Sequence, residues 1–81
     1  MTLLIILAEL ALGKLSAGLG AGLAALAAAY GIGKIGAAAM EAVARQPEAS
    51  ADIRSNLIVV SAFIEGVAFL AVIVCALLAL F

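Results

Sequence analysis

The sequence predicts an all-α membrane protein, a hairpin of two antiparallel transmembrane helices, and three observations support this fold class. First, 69% of the 81 residues are hydrophobic and only 11% are charged, whereas a soluble domain has about half apolar and a quarter charged residues. Second, two long apolar segments flank a short polar segment that holds the only proline, Pro47. Third, no segment alternates strictly between apolar and polar residues, as the strands of a membrane barrel do.

Composition also excludes several classes of function. The shortage of charged residues argues against disorder, and the single cysteine, Cys75, argues against a disulfide scaffold. Because there is no histidine, the chain offers neither a Cys/His metal site nor Cys–His catalysis. Four basic residues and a net charge of −1 provide no patch that would bind nucleic acid. We therefore expect no metal, no cofactor and no catalytic residue, and we expect membrane lipid as the surroundings.

The first helix is predicted over about residues 3–43. No charged residue lies between Lys14 and Lys34, and their separation of about 30 Å in a helix matches the hydrocarbon thickness of a bilayer. The opening segment 1–12 lacks the basic start of a secretory signal peptide and contains Glu9. We therefore expect the first helix to begin in this segment, rather than a cleaved leader.

Small residues dominate the first helix. Its larger side chains recur every three or four positions from Leu15 to Tyr30, and small residues form a second row at the same spacing. The predicted helix-packing residues of this row are Gly18, Gly22, Ala25, Ala29 and Gly33. Small residues let membrane helices approach closely, although alanine could also reflect helix preference alone. Since each glycine costs about 1 kcal/mol in a helix interior, we expect close neighbours on more than one side.

A polar loop is predicted at about residues 44–48, followed by a second helix at about residues 49–80. Arg45 suits the last turn of the first helix, where a cation stabilises the exposed carbonyls, and Pro47 suits the first turn of the second. Three of the four basic residues lie on the loop side of the hairpin: Lys34, Arg45 and Arg54. The positive-inside rule then places the loop in the cytoplasm and both termini outside.

Glu65 is the one charged residue in the apolar segment 56–81. Counting back through a turn at Pro47 places it level with about residues 28–32 of the first helix. An ionised side chain inside the hydrocarbon costs about 2.5–3.5 kcal/mol on insertion scales, and loss of water favours the neutral form of a carboxyl group. Two interpretations follow: a neutral acid that hydrogen-bonds across helices, or a site that takes up and releases one proton, supported by the hydroxyl of Ser61.

Three features occur together along the chain: a Gly/Ala-rich first helix, the segment Ala-Arg-Gln-Pro-Glu at 44–48, and a lone carboxylate, Glu65, in the second helix. In this combination the chain resembles the c subunit, or proteolipid, of F-type rotary ATP synthases over almost its whole length. The resemblance implies a homo-oligomeric ring of identical c subunits, with the first helix inside and the second outside. It also implies that Arg45, Gln46 and Pro47 contact the central-stalk subunits gamma and epsilon.

The resemblance further implies that Glu65 passes protons between two half-channels of the stator a subunit, whose arginine separates them. Proton flow would then drive ring rotation and ATP synthesis, while this subunit itself is not catalytic. Sodium-using members carry a glutamine and a hydroxyl where this chain has Ile32 and Gly66, so H⁺ is favoured over Na⁺. The expected location is the inner (plasma) membrane of a bacterium, with an organellar membrane as the second option.

One departure from the family pattern concerns helix spacing. The family's alternating glycine row aligns with Ala25, Ala27, Ala29, Gly31 and Gly33, so three of its glycines are alanines here, which predicts slightly wider spacing in the ring. Two other interpretations of the whole chain stand beside this one. A small pore-forming, holin-like peptide accounts for neither the Arg-Gln-Pro turn nor the lone acid. The proteolipid of a vacuolar-type pump is often duplicated to four helices.

Overall fold

Two long helices make up almost all of the structure, a computed structural model that describes all 81 residues. Helix α1 spans Thr2–Arg45 and helix α2 spans Ser50–Leu80, and a single turn of 3-10 helix, Pro47–Ala49, lies between them. The helices run antiparallel in a molecule 68 Å long and 16 by 8 Å across. The predicted all-α hairpin is confirmed.

The backbone of the hairpin satisfies its own hydrogen bonds. Of 73 backbone–backbone hydrogen bonds, 69 lie within the helices, and neither α1 nor α2 contains a proline. A spanning segment needs this property because lipid offers no partner to a free N–H or C=O group. Both helices are long and apolar enough to cross a membrane.

The connection between α1 and α2 comprises residues 46–49, whereas the sequence predicts a loop at about 44–48. Arg45 ends α1, and only Gln46, with φ −133° and ψ 72°, separates it from the 3-10 turn. The reason is local: arginine and alanine are good helix formers, whereas Pro47 disfavours the helical conformation of the residue before it. The N–H of Gln46 donates to the carbonyl of Ala42 at 2.9 Å, which closes the last turn of α1.

Two glycines of α1 define how the helices are aligned. A Cβ atom added to Gly20 would lie 2.8 Å from Sγ of Cys75, and one added to Gly31 would lie 3.4 Å from Cδ1 of Ile64. The first distance is too short for a real Cβ contact, so Gly20 is required for the observed approach of α1 to Cys75. Both pairs belong to one antiparallel register.

This register fixes the relative depth of the ionisable groups. It places Glu65 level with Tyr30, within the range predicted from the sequence, and Lys34 level with Ser61. Lys34 is therefore only one helical turn, about 6 Å, from the level of Glu65. The sequence predicts Lys34 as a cation that snorkels to the membrane interface and Glu65 inside the hydrocarbon, and one helical turn of depth separates the two residues.

The contact between the helices is narrow and consists mainly of small side chains. Only two residues are buried, Ala17 (5% exposed) and Ala39 (8% exposed), and no large side chain is fully buried. The α2 residues that are partly covered recur every three or four positions: Ile53, Leu57, Ser61, Ile64, Ala68, Ala71, Cys75 and Ala79. The hairpin thus leaves most large apolar side chains exposed, and lipid or further protein must cover them.

Candidate functional site

Glu65 lies at the edge of the contact between α1 and α2. Its neighbour Ile64 faces α1, and since successive helical residues are about 100° apart, Glu65 is turned to one side and is exposed. A groove of about 360 Å³ begins there. It is lined by Ala25, Ala28, Ala29, Ile32, Glu65, Ala68, Phe69 and Val72. Glu65 is the only ionisable group in this lining, so its carboxyl group meets apolar walls on the protein side.

The predicted supporting residues differ in their positions. Ile32 lines the Glu65 groove, and this aliphatic side chain offers no oxygen to a cation. Ser61 is half-buried on the side of α2 that faces α1, and its hydroxyl makes no hydrogen bond with Glu65, since the one side-chain hydrogen bond joins Arg45 to Glu41. Gly66 is exposed and open, with no atom within 4 Å of an added Cβ. The structure thus brings Ile32, but neither Ser61 nor Gly66, into contact with the groove.

The predicted packing row of α1 does not pack against α2. All five of its members are exposed: Gly18, Gly22, Ala25, Ala29 and Gly33. A Cβ atom added to any of the three glycines would meet nothing within 4 Å. Because Ala25 and Ala29 also line the Glu65 groove, we call this side of the hairpin, comprising the five residues and Glu65, the acid flank.

The opposite side of the hairpin carries a second groove, which the sequence alone does not predict. It has a volume of about 470 Å³ and is wholly hydrophobic. Its lining includes Ala27, Phe63 and Val67, which lie on the other side of the helix contact from Glu65. These three residues define the groove flank. The sequence does contain a feature that indicates this flank. Phe63 and Val67 lie two residues before and two residues after Glu65, which places them on a face of α2 that Glu65 does not share.

The charged groups outside the Glu65 groove lie mainly at the turn. Arg45, Gln46 and Pro47 are all exposed there. Nη2 of Arg45 lies 3.4 Å from Oε2 of Glu41, with side chains 77% and 71% exposed, so this ion pair adds little stability. No group of three or more His, Cys, Asp or Glu side chains is placed to hold a metal ion.

A family model matches the part of the chain that holds both helices, the Arg-Gln-Pro turn and Glu65. The model describes the c subunit of ATP synthase and matches residues 15–78. The chain belongs to the family of ATP synthase c subunits. Family membership favours the interpretation of the chain as a c subunit over its interpretation as a pore-forming peptide.

Curated members of the c-subunit family are similar to this chain over most of its length. It is 63% identical over 70 residues to the ATP synthase c subunit of Bacteroides thetaiotaomicron, an alignment that covers 86% of this chain and 82% of that one. It is 62% identical over 66 residues to the protein of Phocaeicola vulgatus, covering 82% and 79%. The protein of Latilactobacillus sakei is 47% identical over 60 residues, covering 74% and 86%. No solved structure matches the chain.

Proposed function

We propose that this chain is the proton-translocating rotor subunit in the membrane sector of an F-type ATP synthase. In this proposal Glu65 is reversibly protonated, and the passage of protons through it is coupled to rotation of a ring of identical subunits. The observation that carries the proposal is the position of Glu65 as the only ionisable group of an apolar groove, in a chain of the ATP synthase c-subunit family.

The surroundings of Glu65 suit a carboxyl group that changes its protonation state. A charge among apolar walls and lipid is costly, whereas a protonated carboxyl group can travel along a lipid surface without that cost. Release of the proton requires water and a nearby positive charge, and the arginine of the stator a subunit would supply that charge. Because Glu65 lies outside the contact between α1 and α2, its protonation does not require these two helices to separate.

The two flanks support a ring rather than a symmetric pair. The acid flank and the groove flank carry different residues at the same depth, so a contact between them is heterologous, and repeated heterologous contacts close into a ring when the rotation permits. The small residues of the acid flank allow close approach of a neighbouring helix. In this arrangement Glu65 of one copy lies near Phe63 and Val67 of the next copy.

The remaining partners follow from family membership and from the position of the turn. Arg45, Gln46 and Pro47 are exposed at one end of the molecule, where we place the contact with the central-stalk subunits gamma and epsilon. ATP chemistry would belong to partner chains, since Glu65 has no second catalytic group beside it. The proposed location is the inner membrane of a bacterium, with the turn in the cytoplasm and the termini outside.

We propose H⁺ rather than Na⁺ as the transported ion. A hard cation needs several oxygen ligands, and the groove offers the carboxylate oxygens of Glu65 with Ile32 and other apolar side chains around them. Gly66 likewise provides no side-chain oxygen. A single carboxyl group is sufficient for proton transfer.

The test is the substitution Glu65→Gln, which preserves size and polarity but removes the transferable proton. We expect coupled proton transport in reconstituted complexes to be lost, while the mass of the isolated ring stays unchanged. Glu65→Asp should be impaired rather than inactive. Glu9→Gln is the matched control, because it makes the same change in an apolar segment of α1 away from the groove, and it should retain transport. Loss of ring assembly in Glu65→Gln would instead make the carboxyl group a structural link between helices.

A further inference from the structure

The first turns of α1 are apolar on almost every side and lie before the segment that the family model describes, which begins at residue 15. We call residues 2–14 the N-terminal segment. Its large apolar side chains are between 48% and 68% exposed, and its two charged residues are Glu9 and Lys14. A helix that is hydrophobic on all sides is normally buried in protein or in a membrane.

Lipid alone does not cover the whole N-terminal segment. Glu65 is level with Tyr30, and Leu10 is about 30 Å before Tyr30 along α1. The hydrocarbon of a bilayer is about 30 Å thick. Even with Glu65 at the opposite edge of the hydrocarbon, a helix along the membrane normal leaves the lipid near Leu10. The apolar residues before Leu10 therefore require another protein surface.

The two charges of the N-terminal segment lie on opposite flanks of the hairpin. Lys14 is one turn before Gly18 and extends the row of small residues on the acid flank. Glu9 is five full turns before Ala27 and points in the same direction, towards the groove flank. Within one chain the two charged side chains are about 140° apart around the helix. They make no salt bridge, since the one salt bridge of the hairpin lies beside the turn.

We propose that Glu9 of one copy forms an ion pair with Lys14 of the next copy, and that the N-terminal segments of successive copies pack side by side beyond the lipid. The inference rests on the proposed ring, in which the acid flank of one copy contacts the groove flank of the next. That contact brings the flank that carries Lys14 against the flank that carries Glu9. The neighbouring copy is thus the protein surface that covers the N-terminal segment.

The spacing of the two charges suits parallel helices, and identical copies related by rotation about one axis are parallel. Leu3, Ile6 and Leu10 follow the a and d positions of a heptad, so Glu9 is a g position and Lys14 is an e position. Charges at e and g positions pair between the helices of parallel coiled coils. The offset along the axis is about 7.5 Å. Because the Cα–Cβ bonds of a helix tilt towards its N-terminus, the long side chain of Lys14 extends towards the level of the neighbour's Glu9.

The test uses a water-soluble carbodiimide, which couples a carboxylate directly to an amine that it contacts. Glu9 and Lys14 are both exposed in the hairpin. In isolated rings of the full chain we expect a series of covalent oligomers on denaturing gels, with residues 9 and 14 joined in the coupled peptide by mass spectrometry. Glu9→Gln and Lys14→Gln should each abolish this series while the mass of the native ring stays unchanged.

Co-expression of the two variants shows whether the coupling joins different copies. In a mixed ring, a Glu9 that remains and a Lys14 that remains always belong to different chains. We expect covalent dimers and nothing larger, because each chain then retains only one of the two reactive groups. Glu48→Gln, which changes an exposed carboxylate at the turn, is the matched control and should preserve the full series.

Three results would overturn the proposal. The first is a series of oligomers that persists in Glu9→Gln. The second is coupling of residues 9 and 14 in monomers alone, which would place the pair within one chain. The third is the absence of dimers from mixed rings of normal mass, which would leave lipid headgroups as the partners of both charges. Absence of any ring in the wild-type protein would instead overturn the proposed function, and this inference with it.

Discussion

At the scale of single residues, Glu65 combines two properties that rarely occur together. It is ionisable, and it lies in a groove whose other lining residues are all hydrophobic. The neighbouring Ile64 faces α1, so a rotation of α2 by one residue would place the carboxyl group inside the hairpin and Ile64 on its surface. The exposure of this carboxyl group therefore depends on the rotation of α2 about its own axis relative to α1.

A hydrophobic carbodiimide should modify Glu65 selectively. The reagent partitions into lipid and attacks protonated carboxyl groups, and Glu65 is the one carboxyl group that lines the apolar groove. Mass spectrometry of the labelled peptide measures the rate. Glu65→Gln should abolish labelling of this peptide, whereas Glu9→Gln should not.

Sodium provides a separate test of the ion. Added Na⁺ should not protect Glu65 from the carbodiimide, because neither Ile32 nor Gly66 offers a side-chain oxygen. Protection at millimolar Na⁺ and neutral pH would contradict the assignment of H⁺ as the transported ion. It would leave the rotor function unaffected, since sodium-using rings would follow the same geometry.

The sequence was sufficient to select Glu65, because a single charge in a long apolar segment stands out without structural information. It was not sufficient to choose the neighbours of Glu65. Ser61 is one turn away in sequence, yet it is half-buried towards α1 and makes no hydrogen bond with Glu65. Residues four positions apart in a helix differ by about 40° in direction. Here this difference places Ser61 in the contact with α1 and Glu65 on the acid flank.

At the scale of helices, the closest approach of α1 to α2 is at Gly20. In Gly20→Ala the new Cβ would lie 2.8 Å from Sγ of Cys75, so the cysteine must move or the helices must separate. We expect α1–α2 association to weaken by about 1–3 kcal/mol, the usual cost of overpacking. Equilibrium SDS titration of monomeric hairpins in micelles, followed by energy transfer between dyes at the two chain ends, measures this change.

Gly22→Ala is the matched control, because its Cβ would meet nothing within 4 Å and the gain in helix propensity is the same. Combining Gly20→Ala with Cys75→Ala removes Sγ and should restore much of the loss. A double-mutant cycle with no coupling between positions 20 and 75 would mean that α1 and α2 do not meet at this point.

The turn makes a prediction about orientation. In a Cys75→Ala background, Gln46→Cys should react with a membrane-impermeant thiol reagent only from the cytoplasmic side, because the excess of basic residues lies on the turn side. Labelling of sealed inverted vesicles and intact cells compares the two faces. Reaction from the external face alone would reverse the proposed orientation.

At the scale of the whole molecule, the contact between α1 and α2 buries too few residues to account for all the small residues of the sequence. Only two alanines are buried, while the glycines of the acid flank have open space around them. Composition was enough to predict a membrane hairpin. The sequence could not divide the small residues between the contact within one hairpin and contacts with other copies, because both surfaces have the same helical spacing.

Bulk added to the acid flank should prevent ring assembly without preventing insertion. Ala25→Leu and Gly33→Leu place large side chains where a neighbouring backbone would approach, and overpacking typically costs about 1–3 kcal/mol at each site. We expect inserted monomers and few intact rings by native mass spectrometry. Leu19→Met, on the face of α1 that points away from α2, is the control and should give normal rings. Normal ring yield in both acid-flank variants would remove the acid flank from the interface between copies.

The difference between the two flanks has a consequence for movement. Because each hairpin carries its acid on one side only, identical copies joined side to side would all present that acid in the same sense around a circle. The clockwise and anticlockwise directions around such a circle are therefore not equivalent, even when the circle is at rest. When the circle turns in one direction, each carboxyl group passes a fixed point before the rest of its hairpin does. When the circle turns in the other direction, each carboxyl group passes that point after the rest of its hairpin. In the proposed rotor, synthesis and hydrolysis would therefore bring the proton to the stator from opposite sides of the same hairpin.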